Sequence, residues 1–247
     1  MLMHLKASQN KLKDNPICPL STRRDRVISI EFPENGMRAR KVISRSNAHI
    51  SGKWPSFKNG RAMHYESANE RNAFKLLDAS PEVLSYSEQP CLIRYVIDGM
   101  DHLHFPDILV VFPTHCELWE VKTEADAKSL DVAKRTALIA KELPLHGYQY
   151  KMVIAEDLKK SPRLDNLTYL LRFGHGSVTL EERELIRQIF KKSNYQTWGD
   201  FQIGSTWGTH HKAICRLILE GFVKVDFNMP LEPSTLLTYI HRTLEIK

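Results

Sequence analysis

Two strand-like runs, Leu103–Phe112 and Cys116–Thr123, are separated only by Pro113, Thr114 and His115. So short a connection dictates pairing as a hairpin. Both runs are rich in Ile, Leu, Val, Phe and Trp, the composition of strands buried in a sheet. Yet the first carries Asp107, and the second carries Glu120 and Lys122. A carboxylate buried without a partner is strongly unfavourable, so an ion pair or a bound cation must compensate it.

The bulk of the chain narrows the setting. At 247 residues it can hold one large domain or two modest ones. No apolar run approaches the ~18–20 residues of a membrane span, and the start, MLMHLKASQNKLK, lacks the apolar core of a secretory signal. Cys18, Cys91, Cys116 and Cys215 are far apart, with no C-x-x-C pair. They read as reduced thiols of a cytoplasmic protein, against a disulfide framework or zinc ribbon. The net charge of +6 is uneven: residues 1–60 hold 12 Lys or Arg against 4 Asp or Glu, the rest 23 against 25. A basic N-terminal arm over residues 1–45 is therefore expected to meet nucleic acid.

The pattern after the arm predicts a loop or hairpin around Trp54-Pro55 and Lys58-Asn59-Gly60, then a helix over His64–Ala79. Ser67 and Glu70 have capping-box spacing near its start, and Glu70, Ala73, Phe74 and Leu77 share one stripe. Three extended segments follow: Val83–Ile97, bent at Gln89-Pro90, then Leu103–Phe112 and Cys116–Thr123. A helix over Leu130–Leu143 and a strand over Tyr148–Ala155 complete an α/β layer with a mixed sheet, residues 46–172. Beyond residue 173 the pattern turns helical: a capped helix from Thr179 to Lys192, a turn over Gln196–Phe201 and a helix from Thr209 to Glu220. Gly221 stands at the C-terminal capping position, and Phe222–Phe227 alternates like a β wing. Helices followed by such a wing predict a winged helix-turn-helix over residues 173–247.

Side chains alternate along a strand, so Glu120 and Lys122 share a face that Val121 does not. Asp107, on the neighbouring strand, can place its oxygens beside those of Glu120. Hard cations such as Mg²⁺ prefer such oxygen clusters, to which the Val121 carbonyl is a further candidate ligand. Glu70 can approach from the helix laid across the sheet. Lys122 can neutralise a phosphate or position and deprotonate a water. A structural Glu120–Lys122 ion pair, with Asp107 as a turn residue, is the plainer alternative.

Pro106-Asp107, twelve residues, then Glu120-Val-Lys122 matches the PD…ExK signature of restriction-endonuclease-like nucleases. Tyr65-Glu-Ser-Ala-Asn-Glu70-Arg, Leu76-Leu-Asp, Pro81-Glu-Val-Leu-Ser-Tyr-Ser-Glu-Gln-Pro90, Phe105-Pro-Asp-Ile-Leu-Val110 and Trp119-Glu-Val-Lys122 resemble TnsA. TnsA is the endonuclease subunit of heteromeric cut-and-paste DNA transposases, and the likeness covers roughly residues 46–157. It implies a restriction-endonuclease-like fold, with Glu70, Asp107, Glu120 and Lys122 catalytic. Mg²⁺ or Mn²⁺ would be held mainly by Asp107 and Glu120, with Glu70 on a second metal or acting through water. It further implies 5′-strand cutting at the double-stranded DNA ends of a transposon. The partners would be a TnsB-like transposase and a TnsC-like ATPase regulator contacting the C-terminal region, in the nucleoid-associated cytoplasm of a bacterium. Two other functions fit the same residues: a stand-alone restriction- or repair-type nuclease, and a non-catalytic winged-helix DNA-binding regulator.

Other residues read as less informative. Glu66 competes with Glu70 one turn earlier, with the Ser-x-x-Glu spacing favouring Glu70. Gln89 either touches the site or ties the bend. Glu124 and Asp126 read as solvated loop charges; His210, His211 and Cys215 suggest a metal site but lack a fourth ligand, and read as helix-surface residues. Trp198, Trp207, Leu217 and Ile218 read as core.

Overall fold

The computed structural model describes residues 24–34, 38–39, 51–193 and 195–240. Its elements run β1 (Arg26–Glu31), β2 (Gly52–Ser56), β3 (Arg61–Tyr65), α1 (Ala68–Ala79), β4 (Ser85–Glu88), β5 (Leu92–Ile97), β6 (Met100–His104), β7 (Ile108–Val111) and β8 (Cys116–Lys122). There follow α2 (Glu124–Ala127), α3 (Leu130–Glu142), β9 (Gln149–Ile154), α4 (Ala155–Leu158), α5 (Arg163–Phe173), α6 (Leu180–Lys192), β10 (Gln196–Thr197), α7 (His211–Leu219), β11 (Val223–Lys224) and β12 (Leu236–Tyr239).

The hairpin expected from the two apolar runs is present, and it is part of something larger. β4 pairs with β7 and β5 with β6, all antiparallel, so residues 85–97 and 100–111 form one long hairpin broken in the middle. The two halves enter different sheets, in the orders β1-β5-β6 and β4-β7-β8-β9. The segment Val83–Ile97 is thus divided at its expected bend, Gln89-Pro90, and Leu103–Phe112, expected as one strand, is divided as well. Pro90 and Pro106 cannot donate to a ladder, and Gln89 adopts φ 43°, so the hairpin bends sharply there. β9 joins β8 in parallel through α2 and α3, which makes the second sheet mixed.

Helix α1 starts later than its periodicity suggests. Residues 61–65 pair with β2 as a hairpin around a Gly60 turn, and the helix opens after Ser67, whose hydroxyl accepts from the Glu70 amide. The capping signal located the start better than the apolar stripe did. α1 then buries Ala73, Phe74 and Leu77 against Trp119 and Val121, while Ile139 of α3 packs with Leu118 on the opposite sheet face.

Three further expectations change. Part of the N-terminal arm is a strand, β1, at the edge of the first sheet and paired with β5; the rest of residues 1–45 lies almost wholly outside the described residues. Helix α5 was not anticipated. Its Leu167, Leu170 and Leu171 join the core of α6 and α7. His211 and Cys215 are interior residues: His211 Nδ1 meets the Phe201 carbonyl at 2.9 Å and Nε2 the Tyr169 hydroxyl at 3.0 Å. They lie on the core face of α7, and His211 is a hydrogen-bonded core histidine. Thr179 caps α6, Gly221 takes φ 76° after α7, and Trp198, Leu217 and Ile218 are buried with Trp207 packed beside them. In the expected wing only Val223–Lys224 is strand, paired with β12 in a small sheet of order β10-β12-β11. Among the described residues no helix is long and apolar enough to cross a membrane. Cys91, Cys116 and Cys215 are free thiols.

Candidate active site

Asp107 occupies the break in the long hairpin. Its amide donates to the Trp119 carbonyl at 2.9 Å, and its carbonyl accepts from Gln89 at 2.7 Å. Its carboxylate Oδ2 accepts the Val121 amide at 2.7 Å. The side chain thus continues the β7–β8 ladder where the backbone leaves it. That fixes the carboxyl group at the strand end.

Glu120 and Lys122 share a face of β8, as alternation requires, and their side chains meet at 2.9 Å. The ion pair of the plainer reading is therefore real, but it is only part of the arrangement. Arg135 of α3 also reaches Glu120 Oε1, at 3.2 Å. His104 Nε2 lies 3.3 Å from Glu120 Oε2 and 3.0 Å from the Tyr150 hydroxyl. Glu120 is only 2% exposed, and its Oε2, though close to His104, makes no hydrogen bond.

Glu70 enters from the first turn of α1. One carboxylate oxygen accepts the Glu66 amide at 2.8 Å and the other the Ser67 hydroxyl at 3.0 Å. It caps its own helix and is 9% exposed. Glu66, Glu70, Asp107, Glu120, Val121 and Lys122 line one cavity of about 560 Å³, with Asp126 and Arg135 at its wall. All four expected catalytic residues thus share one pocket. Glu124 and Asp126 are exposed as expected, but in the helical turn α2. Gln89 is absent from the lining and ties the hairpin break through its backbone.

The electrostatics differ from residue to residue. Burial pushes the Asp107 carboxyl well above the ordinary aspartate range, and the charges of Glu120 and Glu70 add to it. Burial also raises Glu70. Burial would raise Glu120 as well, but His104 and Lys122 outweigh it and hold the group low. Burial opposes the Lys122 ammonium, yet Glu120 and then Asp107 hold its pKa above the usual lysine value. At neutral pH Lys122 is a cation, suited to neutralising charge rather than to taking a proton.

A hard divalent cation suits this donor set. Crowded, buried carboxylates repel one another, and the buried Glu120 Oε2 has no hydrogen bond; a cation compensates both. Among the described residues, however, no three His, Cys, Asp or Glu side chains are already clustered to hold a metal. Glu70 is occupied with capping, and Glu120 Oε1 with Lys122 and Arg135. His104, Arg135 and Tyr150 escaped the sequence reading. His104 sat within a strand and Arg135 on a polar helix flank, with no motif to mark either.

Residues 80–156 match a family model described as TnsA-like endonuclease N terminal. Asp107, Glu120 and Lys122 fall inside the matched segment, and Glu70 ten residues before it. No curated protein matches the chain. The segment that carries Asp107, Glu120 and Lys122 is thus similar to a TnsA-like endonuclease N-terminal domain.

Proposed function

We propose that this protein is a metal-dependent DNA endonuclease that hydrolyses phosphodiester bonds at the 5′ ends of a transposable element, as the TnsA-like subunit of a cut-and-paste transposase. One observation carries the reading: Glu70, Asp107, Glu120 and Lys122 converge on a single cavity, three of them within the TnsA-like segment.

Asp107 and Glu120, with the Val121 carbonyl, would hold Mg²⁺ or Mn²⁺, and Glu70 would serve a second ion or act through water. Such an ion supplies Lewis acidity toward the phosphoryl oxygen and lowers the pKa of an attacking water. The Lys122 ammonium holds a non-bridging oxygen of the scissile phosphate and offsets its developing charge. His104 and Lys122 keep the Glu120 carboxylate ionised, and Arg135 helps to orient it. The Asp107–Val121 hydrogen bond fixes the aspartate against the strand end. The described part of residues 173–247 supports a winged-helix reading, with helices α6 and α7 followed by short antiparallel strands. This C-terminal region would meet the TnsC-like ATPase regulator, and a TnsB-like transposase would cut the other strand. The basic arm, residues 1–45, would add phosphate contacts on double-stranded DNA.

The test is a reconstituted excision assay with Asp107→Ala and Lys122→Ala. Loss of 5′-strand cutting in both, with the transposase strand still cut, is the expected result. Survival of 5′ cutting in both removes the site. Efficient cutting of naked duplex by the protein alone points instead to a stand-alone nuclease.

A further inference from the structure

A second cavity, of about 880 Å³, lies on the other flank of α1, between that helix, the β2–β3 hairpin and α5. Its lining is unlike that of the acidic site. Trp54, Pro55, Phe57 and Leu171 give it an apolar wall, and Arg71, Lys75 and Arg172 bring positive charge. Arg61 at its edge is paired with Glu88 at 2.8 Å, whereas Arg71, Lys75 and Arg172 make no ion pair among the described residues.

Their placement is fixed by the helices. Arg71 and Lys75 are one turn apart on α1, and Thr168 and Arg172 one turn apart on α5. Lys75 Nζ donates to the Thr168 hydroxyl at 3.2 Å, closing the gap between the helices. The Arg71 guanidinium lies 5.8 Å from the Tyr65 ring centre, and its Nε is buried with no hydrogen-bond partner. An anion in the cavity would offset the charge of this guanidinium. Trp54 is held by its indole N–H, which donates to Asp78 Oδ2 at 2.6 Å. Its ring is therefore a preset flat surface.

We propose that this cavity binds an unstacked nucleotide of single-stranded DNA, its phosphate on Arg71, Lys75 and Arg172 and its base against Trp54. The inference rests on the DNA-nuclease reading and extends it. A concave site with an aromatic wall suits a base that has left the stack, whereas a duplex keeps its base faces stacked on one another. Glu70 and Arg71 are consecutive, so the two cavities flank one helix, about 10–12 Å across. A strand frayed beside the cut is then within reach of both.

The experiment uses the full chain in EDTA, so that no cutting occurs. Anisotropy of a short fluorescein-labelled single strand, and of the same sequence as blunt duplex, is read across a salt series. For the combined Arg71→Gln, Lys75→Gln, Arg172→Gln variant, the single-strand salt slope should fall by about 0.7, the share of the one phosphate the three side chains hold. The duplex slope should change less. Trp54→Leu should weaken single-strand binding by about tenfold with little effect on duplex. An unchanged single-strand slope in the triple variant, whose substitutions lie on helix flanks, overturns the proposal; so does an equal loss on duplex. Asp107→Ala separates the two readings. If it abolishes cutting while the triple variant binds normally, the cavity assignment fails and the nuclease stands; if it still cuts while the triple variant binds as expected, the nuclease site fails.

Discussion

Asp78 and Asp107 are both buried aspartates with raised pKa values, and they are compensated in opposite ways. Asp78, at the C-terminal end of α1, is wholly inaccessible. It accepts from Trp54 Nε1 at 2.6 Å and from the Ser56 hydroxyl at 2.7 Å, both on β2. Burial raises its pKa, and those two donors work against the rise. Asp107 has one backbone donor, while Glu120 and Glu70 raise its pKa further. An acid surrounded by donors ties parts of a scaffold together. An acid crowded by acids carries a charge that a cation would offset.

The comparison is broken most sharply by truncating each acid. Asp107→Ala should remain folded, with an unchanged or slightly raised melting temperature, and lose about 10³-fold or more of cutting rate. Asp78→Ala should do the reverse. It leaves the Trp54 and Ser56 donors unsatisfied in the interior, a loss of roughly 2–4 kcal/mol, read by denaturant unfolding. Its activity per folded molecule should persist. Unfolding of Asp107→Ala, or a catalytic loss in Asp78→Ala without a stability loss, would erase the distinction.

The next effect separates the two acids by ligand. Mg²⁺ should raise the melting temperature of the native chain, by an amount equivalent to about 2.7 kcal/mol at a hundredfold excess over its dissociation constant. Asp107→Asn should abolish the rise. An undiminished rise in that variant would place the cation elsewhere.

How legible each acid was follows from where its compensation comes from. Asp107, Glu120 and Lys122 stood out because charge inside an apolar strand pair contradicts the local pattern. Glu70 was legible through its Ser67 cap, a signal confined to four residues. Asp78 was not, because its partners Trp54 and Ser56 are more than twenty residues away and no motif links them. The same limit hid Arg135 and His104 around Glu120. The hairpin break was half legible. Pro90 and Pro106 marked it, but that its halves join different sheets depends on β1 and β8, which periodicity within 85–111 does not register. Helix α5 carried Leu164, Leu167 and Leu171 at helical spacing and was open to reading.

The smallest effect is one of pH, and its sign follows from the shift. The folded-state pKa of Asp107 stands above the ordinary aspartate value of 3.8. The stability belonging to its protonated form is therefore fully present below that value and is lost as pH rises through the folded pKa. Asn at this position mimics the protonated acid in shape and carries no charge. In EDTA, Asp107→Asn and the native chain should be nearly equally stable in mild acid. The variant should become progressively the more stable of the two as pH rises toward neutrality, when Asp107 ionises beside Glu120 and Glu70. Added Mg²⁺ should close the gap, since the cation favours the ionised carboxylate. A gap that is constant from acid to neutral pH, as measured by paired thermal melts, would mean that the neighbouring acids do not crowd Asp107, and its likeness to Asp78 would then be the truer description.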